Sequence, residues 1–106
     1  MKKVLIICIA GMSSSMMASK LTKWFKDKNI DIFIDSIIAT GVNNITDNSD
    51  FDLFLLSPQT KLYFDKYKTV GERLGKTVIS ISPQVYVPIP SGIEQMAKLI
   101  SDVITL

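Results

Sequence analysis

Cys8, Gly11, Ser13, Ser14 and Ser15 fall within eight consecutive positions, and this cysteine is the only one in the chain. Set between the end of a strand and the start of a helix, these residue types suit the binding of a dianionic phosphate. A helix leaves its first backbone N–H groups unpaired, and its macrodipole puts positive potential at that end. Gly11 lets the chain curl so that successive N–H groups point at one anion. Three adjacent hydroxyls exceed what a helix cap requires, and each adds a donor for phosphate oxygens. The same field favours a thiolate over a thiol. Cys8 is therefore the candidate nucleophile that takes a phosphoryl group, and Ile9, Ala10, Gly11, Met12, Ser13, Ser14 and Ser15 are the candidate phosphate seat. The opposing interpretation makes Cys8 a small buried hydrophobe and the serines mere helix caps. Against it, the end of a strand is where a side chain is expected to face a crevice rather than the core.

The elements that must position this loop are legible on either side of it. Lys3 to Cys8 is a near-continuous apolar run, as in a central parallel strand covered on both faces. From about Ser13 to Lys28 the period becomes helical: Met17, Leu21, Trp24 and Phe25 form one stripe and Lys20, Lys23 and Lys26 lie mainly opposite. Ile30 to Ile38 reads as a second strand. Ala39 to Asp50 is a polar loop with a helical turn around Val42 to Thr46. Phe51 to Leu56 reads as a third strand, ended by Ser57-Pro58-Gln59, with Pro58 suited to the first turn of a helix. That helix is expected to bury Tyr63, Tyr67, Val70 and Leu74, with Gly75 as its C-terminal stop. Thr77 to Ile81 is a short fourth strand, followed by a turn at Ser82-Pro83. Ser91-Gly92-Ile93-Glu94 matches a capping box, and Ile93, Met96, Ala97, Ile100, Val103 and Ile104 mark a final helix.

This order predicts an α/β fold: a single domain over 1–106 with a four-stranded parallel sheet and helices on both faces. Ligands in such folds bind at the carboxyl ends of the strands, near the switch in strand order. The Cys8 loop, the Ser57-Pro58-Gln59 turn and the Ser82 to Tyr86 turn are all expected at that edge. Trp24 reads as core, Tyr86 as a packing residue, and Met12, Met16 and Met17 as a mixture of surface and core.

Composition removes several classes of function. The chain has 106 residues, 47% hydrophobic and 21% charged, which fits one soluble globular domain. A formal charge of +2, with dispersed lysines, does not point to nucleic acid. No apolar run reaches the roughly 18 residues of a membrane span, and Met1-Lys2-Lys3 with its short apolar sequel lacks a signal-peptide cleavage site. A lone cysteine makes no intramolecular disulfide, which points to a reducing cytoplasm. With no histidine and one cysteine, neither a structural zinc site nor a His-based general base is available. No metal or cofactor is expected.

The stretch Cys8-Ile9-Ala10-Gly11-Met12-Ser13-Ser14-Ser15-Met16 resembles the active loop of IIB components of the bacterial sugar phosphotransferase system, in the lactose/cellobiose branch. The resemblance extends over the whole chain in length, element order, the turn after the third strand and the long last helix. Ser14 stands where Thr is common, Ile9 where a small residue is common, and Ser57 where Gly is common. The resemblance implies a cytoplasmic phosphocysteine relay. Cys8 would accept a phosphoryl group from a phosphohistidine of a IIA partner and pass it to a sugar bound by the membrane IIC permease. The sugar would be a β-glucoside or disaccharide such as cellobiose, lactose or chitobiose. The start at Met1 favours a stand-alone subunit.

A rival enzyme class, the low-molecular-weight tyrosine phosphatases and related arsenate reductases, shares the expected topology and also places Cys at the end of the first strand. Their signature carries Arg six residues after the Cys, where this chain has Ser14. They also use an Asp on a late loop, where this chain has Ser82-Pro83. A third reading is a regulatory or interaction domain with an inert cysteine, which would leave Cys8 unreactive to iodoacetamide at neutral pH.

Overall fold

The computed structural model describes residues 1–8, 14–41, 43–58, 63–87 and 89–104; the side chain of Ser14 is outside the described set. Among the described residues the elements follow in the order β1 Lys2–Cys8, α1 Ser14–Asp27, β2 Ile32–Ile38, α2 Asn43–Thr46, β3 Leu53–Leu56, α3 Phe64–Arg73, β4 Thr77–Ser80 and α4 Pro90–Ile104. The four strands form one sheet in the order β2-β1-β3-β4, and every pairing is parallel. The expected α/β architecture is what the chain adopts.

β1 is central because it can be covered on both sides. Val4, Leu5, Ile6 and Ile7 are all essentially inaccessible, and alternate residues enter opposite cores. Val4 and Ile6 pack with Met17, Leu21 and Phe25 of α1 and with Ile93, Met96 and Ile100 of α4. Leu5 and Ile7 pack with Ile45 of α2, Phe54 and Leu56 of β3, and Tyr67 of α3. Each of these aliphatic side chains contributes roughly 2 kcal/mol by leaving water. Thus α1 and α4 cover one face, and α2 and α3 the other. From β1 the chain moves to β2 on one side and then to β3 on the other, so the switch in strand order lies between β1 and β3.

α3 corrects the expected stripe. Tyr67 is buried, but Tyr63 and Leu74 are exposed. Both are cap residues rather than helix interior, so helical spacing does not set their direction. Close approach at Gly71 aims the helix instead: a Cβ there would meet Val78 Cγ2 at 2.5 Å. The C-terminus closes as a Schellman turn, with Lys76 N–H donating to the Gly71 carbonyl at 2.8 Å and Gly75 N–H to that of Glu72 at 3.1 Å. Gly75 sits at φ 69°, which supports its reading as the stop residue.

The start of α4 also differs from expectation. The helix begins at Pro90, whose fixed φ and missing N–H suit the first helical position. Ile93 N–H donates to the Ile89 carbonyl at 3.0 Å, so Ile89 rather than Ser91 occupies the capping position. Glu94, displaced from a capping-box role, pairs with Lys98 at 3.4 Å one turn on. Trp24 is half-buried at the rim rather than in the core. It packs edge-to-face on Phe25, with Lys28 Nζ 4.7 Å from its ring centre. No described helix is long and apolar enough to cross a membrane.

Candidate functional site

Cys8 is the last residue of β1 and lies at the carboxyl edge of the sheet beside the β1/β3 switch. On the β2 side its carbonyl accepts the Ala39 N–H at 2.7 Å. On the β3 side Ser57 N–H donates to the Ile7 carbonyl at 2.9 Å, and Ile81 N–H donates to the Leu56 carbonyl at 2.9 Å. Ladder bonding thus continues one residue beyond β3 and β4, setting Ser57 beside Cys8 and Ile81 beside Ser57. The turn that follows is closed by Val85 and Tyr86 N–H groups donating to the Ser82 carbonyl at 3.1 and 3.0 Å. The carboxyl ends of β1, β3 and β4 therefore share one edge, as the sequence suggests.

The expectation that Cys8 opens into a crevice needs correction, because the residue is 3% exposed. Strand alternation directs it to the face of Val4 and Ile6, the face covered by α1 and α4. Ser57 in the adjoining row is wholly buried and Ile81 nearly so. A thiol here is screened from bulk water.

α1 begins at Ser14, six residues after Cys8, and its first turn carries no acidic side chain to offset the positive end of the helix dipole. Ser15 and Met16 are exposed in that turn, and Met17 is buried. Ile9, Ala10, Gly11, Met12 and Ser13, five members of the candidate phosphate seat, lie outside the described residues, as does Gln59 of the turn after β3. Tyr86 is a buried member of the α1–α4 core, consistent with a packing role. The described residues contain no group of three or more carboxylate, cysteine or histidine side chains placed to hold a metal ion.

Sequence reasoning missed a polar network just past the end of β2, on the sheet face opposite the one Cys8 is directed to. Asn44, 6% exposed in α2, accepts three hydrogen bonds at Oδ1: from Thr40 N–H at 2.9 Å, Gly41 N–H at 3.2 Å and the Tyr67 hydroxyl at 2.9 Å. Its side-chain amide donates to Thr40 Oγ1 at 3.0 Å, and its backbone carbonyl accepts from Asn48 Nδ2 at 2.8 Å. Burial pushes the Tyr67 hydroxyl above its ordinary value of 10.0, against the opposing pull of the Gly41 backbone, so it serves this network as a neutral donor. Two signals pointed here: a buried tyrosine needs a partner for its hydroxyl, and asparagine readily bonds the backbone of a preceding turn.

With that geometry in place, comparisons with known proteins are informative. Residues 3–100 match the family model described as the lactose/cellobiose-specific IIB subunit of the PTS system. Among solved structures, the lactose-specific IIB component domain of the phosphoenolpyruvate:carbohydrate phosphotransferase system from Streptococcus pneumoniae has a similar fold. It aligns at TM-score 0.82 with 20% identity over 95% of both chains. The cellobiose-specific phosphotransferase IIB component protein from Borrelia burgdorferi aligns at TM-score 0.68 with 27% identity, over 95% of this chain and 89% of that one. No curated protein matches the sequence significantly.

Proposed function

The chain belongs to the lactose/cellobiose-specific IIB family of the phosphotransferase system, and from that premise we propose that Cys8 is its phosphoryl carrier. Membership brings a general phosphotransferase role in sugar uptake, in which IIB domains work with IIA and IIC components. On our reading residues 1–106 act as one IIB-type domain in the cytoplasm. The Cys8 thiolate attacks the phosphorus of a phosphohistidine on a IIA protein. The S–P bond forms as the P–N bond breaks, and the released imidazole takes up a proton. In the second step a hydroxyl of a sugar held by the IIC permease attacks the same phosphorus. The S–P bond breaks, the hydroxyl proton is released, and the thiolate is restored. The sugar is a β-glucoside or disaccharide of the cellobiose, lactose or chitobiose kind.

The observation that carries this reading is the placement of Cys8 at the end of the central strand, beside the β1/β3 switch and ahead of the N-terminus of α1. Phosphoryl transfer asks for little covalent assistance, so positioning and N–H donors supply most of the catalysis. Both histidine and sugar come from partners, which suits a chain that contains no histidine. The low exposure of Cys8 also suits a carrier, since excluding water protects a reactive intermediate from hydrolysis. A phosphatase would need the opposite, and positions 14 and 82 are serines where that class carries its Arg and Asp.

The loop Ile9 to Ser15 is assigned as the phosphate seat. Phosphorylation should then shift the backbone amide resonances of these residues more than any others in the chain. NMR of the free and phosphorylated protein checks this, and a shift pattern centred on another segment would relocate the seat.

A further inference from the structure

We infer that Asn44 and Tyr67 are positioning residues for transfer at Cys8, an inference that rests on the phosphocarrier reading above. The mechanical chain runs through bonds at the carboxyl edge. The Ala39 N–H holds the Cys8 carbonyl at 2.7 Å. The next two residues, Thr40 and Gly41, donate their N–H groups to Asn44 Oδ1, which also receives the Tyr67 hydroxyl. A peptide group is planar, so holding the Cys8 carbonyl fixes the plane of the peptide that leaves the strand toward the phosphate seat. Gly41 adopts φ +142° here, a conformation that favours glycine, and it turns the segment so that its N–H and that of Thr40 meet on one acceptor.

Asn44 and Tyr67 are 6% and 2% exposed and cannot themselves serve as surface for a partner. Their position explains why a polar network is retained inside an apolar layer. Replacing the network by hydrocarbon would satisfy the core of Leu5, Ile7 and Phe54 but would release residues 39–41. Transfer tolerates little misplacement of the reacting groups, so the clamp should appear in the rate of the transfer step and not in the affinity for the donor.

The test compares the parent with Tyr67→Phe, Asn44→Ala and Asn44→Asp, each confirmed folded by thermal unfolding. Phosphorylated IIA protein serves as the donor, at saturating and limiting concentrations. Loss of one of three donors in Tyr67→Phe should slow the first-order transfer about fivefold, with the half-saturating donor concentration unchanged. Asn44→Ala should slow it about tenfold or more, while Asn44→Asp, which keeps an acceptor for Thr40 and Gly41, should recover most of the loss. Hydrogen exchange at the Ala39 amide should accelerate in the same order. Tyr67→Phe carries the test if Asn44→Ala fails to fold. Folded variants that transfer within twofold of the parent, or that change only the half-saturating concentration, would overturn the inference while leaving the carrier role standing. A parent chain that takes no phosphate from the donor would overturn both.

Discussion

Cys8→Ser is expected to take up no measurable phosphate from a donor that loads the parent chain, a loss on the order of a thousandfold or more. The two side chains are nearly the same size, so the substitution separates chemistry from architecture. A cysteine sulfur is intrinsically strongly nucleophilic, whereas a serine hydroxyl without an adjacent base is not. No histidine exists in the chain to supply that base. Because position 8 is 3% exposed at the end of a buried strand, the hydroxyl costs about 1 to 2 kcal/mol of stability through burial. The unfolding midpoint should drop by several degrees and leave the protein folded at room temperature. Phosphate incorporation, followed by intact mass alongside circular dichroism, reads both quantities. A folded Cys8→Ser chain that still acquires phosphate would remove Cys8 from the mechanism.

The largest effect expected on stability lies at the start of α4. Gly92 is buried, and a Cβ there would stand 2.4 Å from the Val87 carbonyl oxygen and 2.9 Å from that of Val85. Backbone oxygens cannot rotate aside as a side chain can. Ala is favoured over Gly in a helix interior by about 1 kcal/mol, but relieving this overlap requires α4 to back away from the turn that follows β4. We expect Gly92→Ala to destabilise by a net of about 2 kcal/mol, lowering the thermal midpoint by about 10 °C. Ser91→Ala is its control. Ser91 is exposed and lies inside the helix rather than at the capping position, so its removal should cost well under the roughly 1 kcal/mol of a lost cap. A Gly92→Ala protein as stable as the parent would show that local helix propensity outweighs the contact. A Ser91→Ala protein as damaged as Gly92→Ala would restore the capping box.

The contrast between these neighbouring residues shows what the sequence could reveal and what it could not. Hydrophobic period found the four described strands and the three long helices, because burying one stripe or one run is the dominant demand on each of them. It also set Cys8 at the end of the first strand and the next helix close behind it, as β1 and α1 do. It failed at element ends. Tyr63 and Leu74 continue the α3 stripe on paper, but they cap the helix and face solvent. Ser91 and Glu94 match a capping box, yet Pro90 and the tight seat of Gly92 set the start of α4 two residues earlier. In each case a close contact between one element and its neighbour, Gly71 on Val78 or Gly92 on Val87, overrode the helical pattern. The Asn44–Tyr67 bond joins residues 23 apart in sequence, and no local spacing announces it. The burial of Cys8 was hidden for a similar reason: the face it shares with Val4 and Ile6 is the one that α1 and α4 cover.

The central claim is that Cys8 carries phosphate between two partners. Its most direct test is the intact mass of the protein after incubation with phosphoenolpyruvate, the upstream phosphocarriers and a IIA protein, followed by fragmentation to locate the label. The expected result is a gain of one phosphate, held on Cys8 through sulfur and lost when a IIC permease and its sugar are added. A protein that stays at its unmodified mass while the IIA donor is fully phosphorylated, or that carries the phosphate on another residue, would contradict the account.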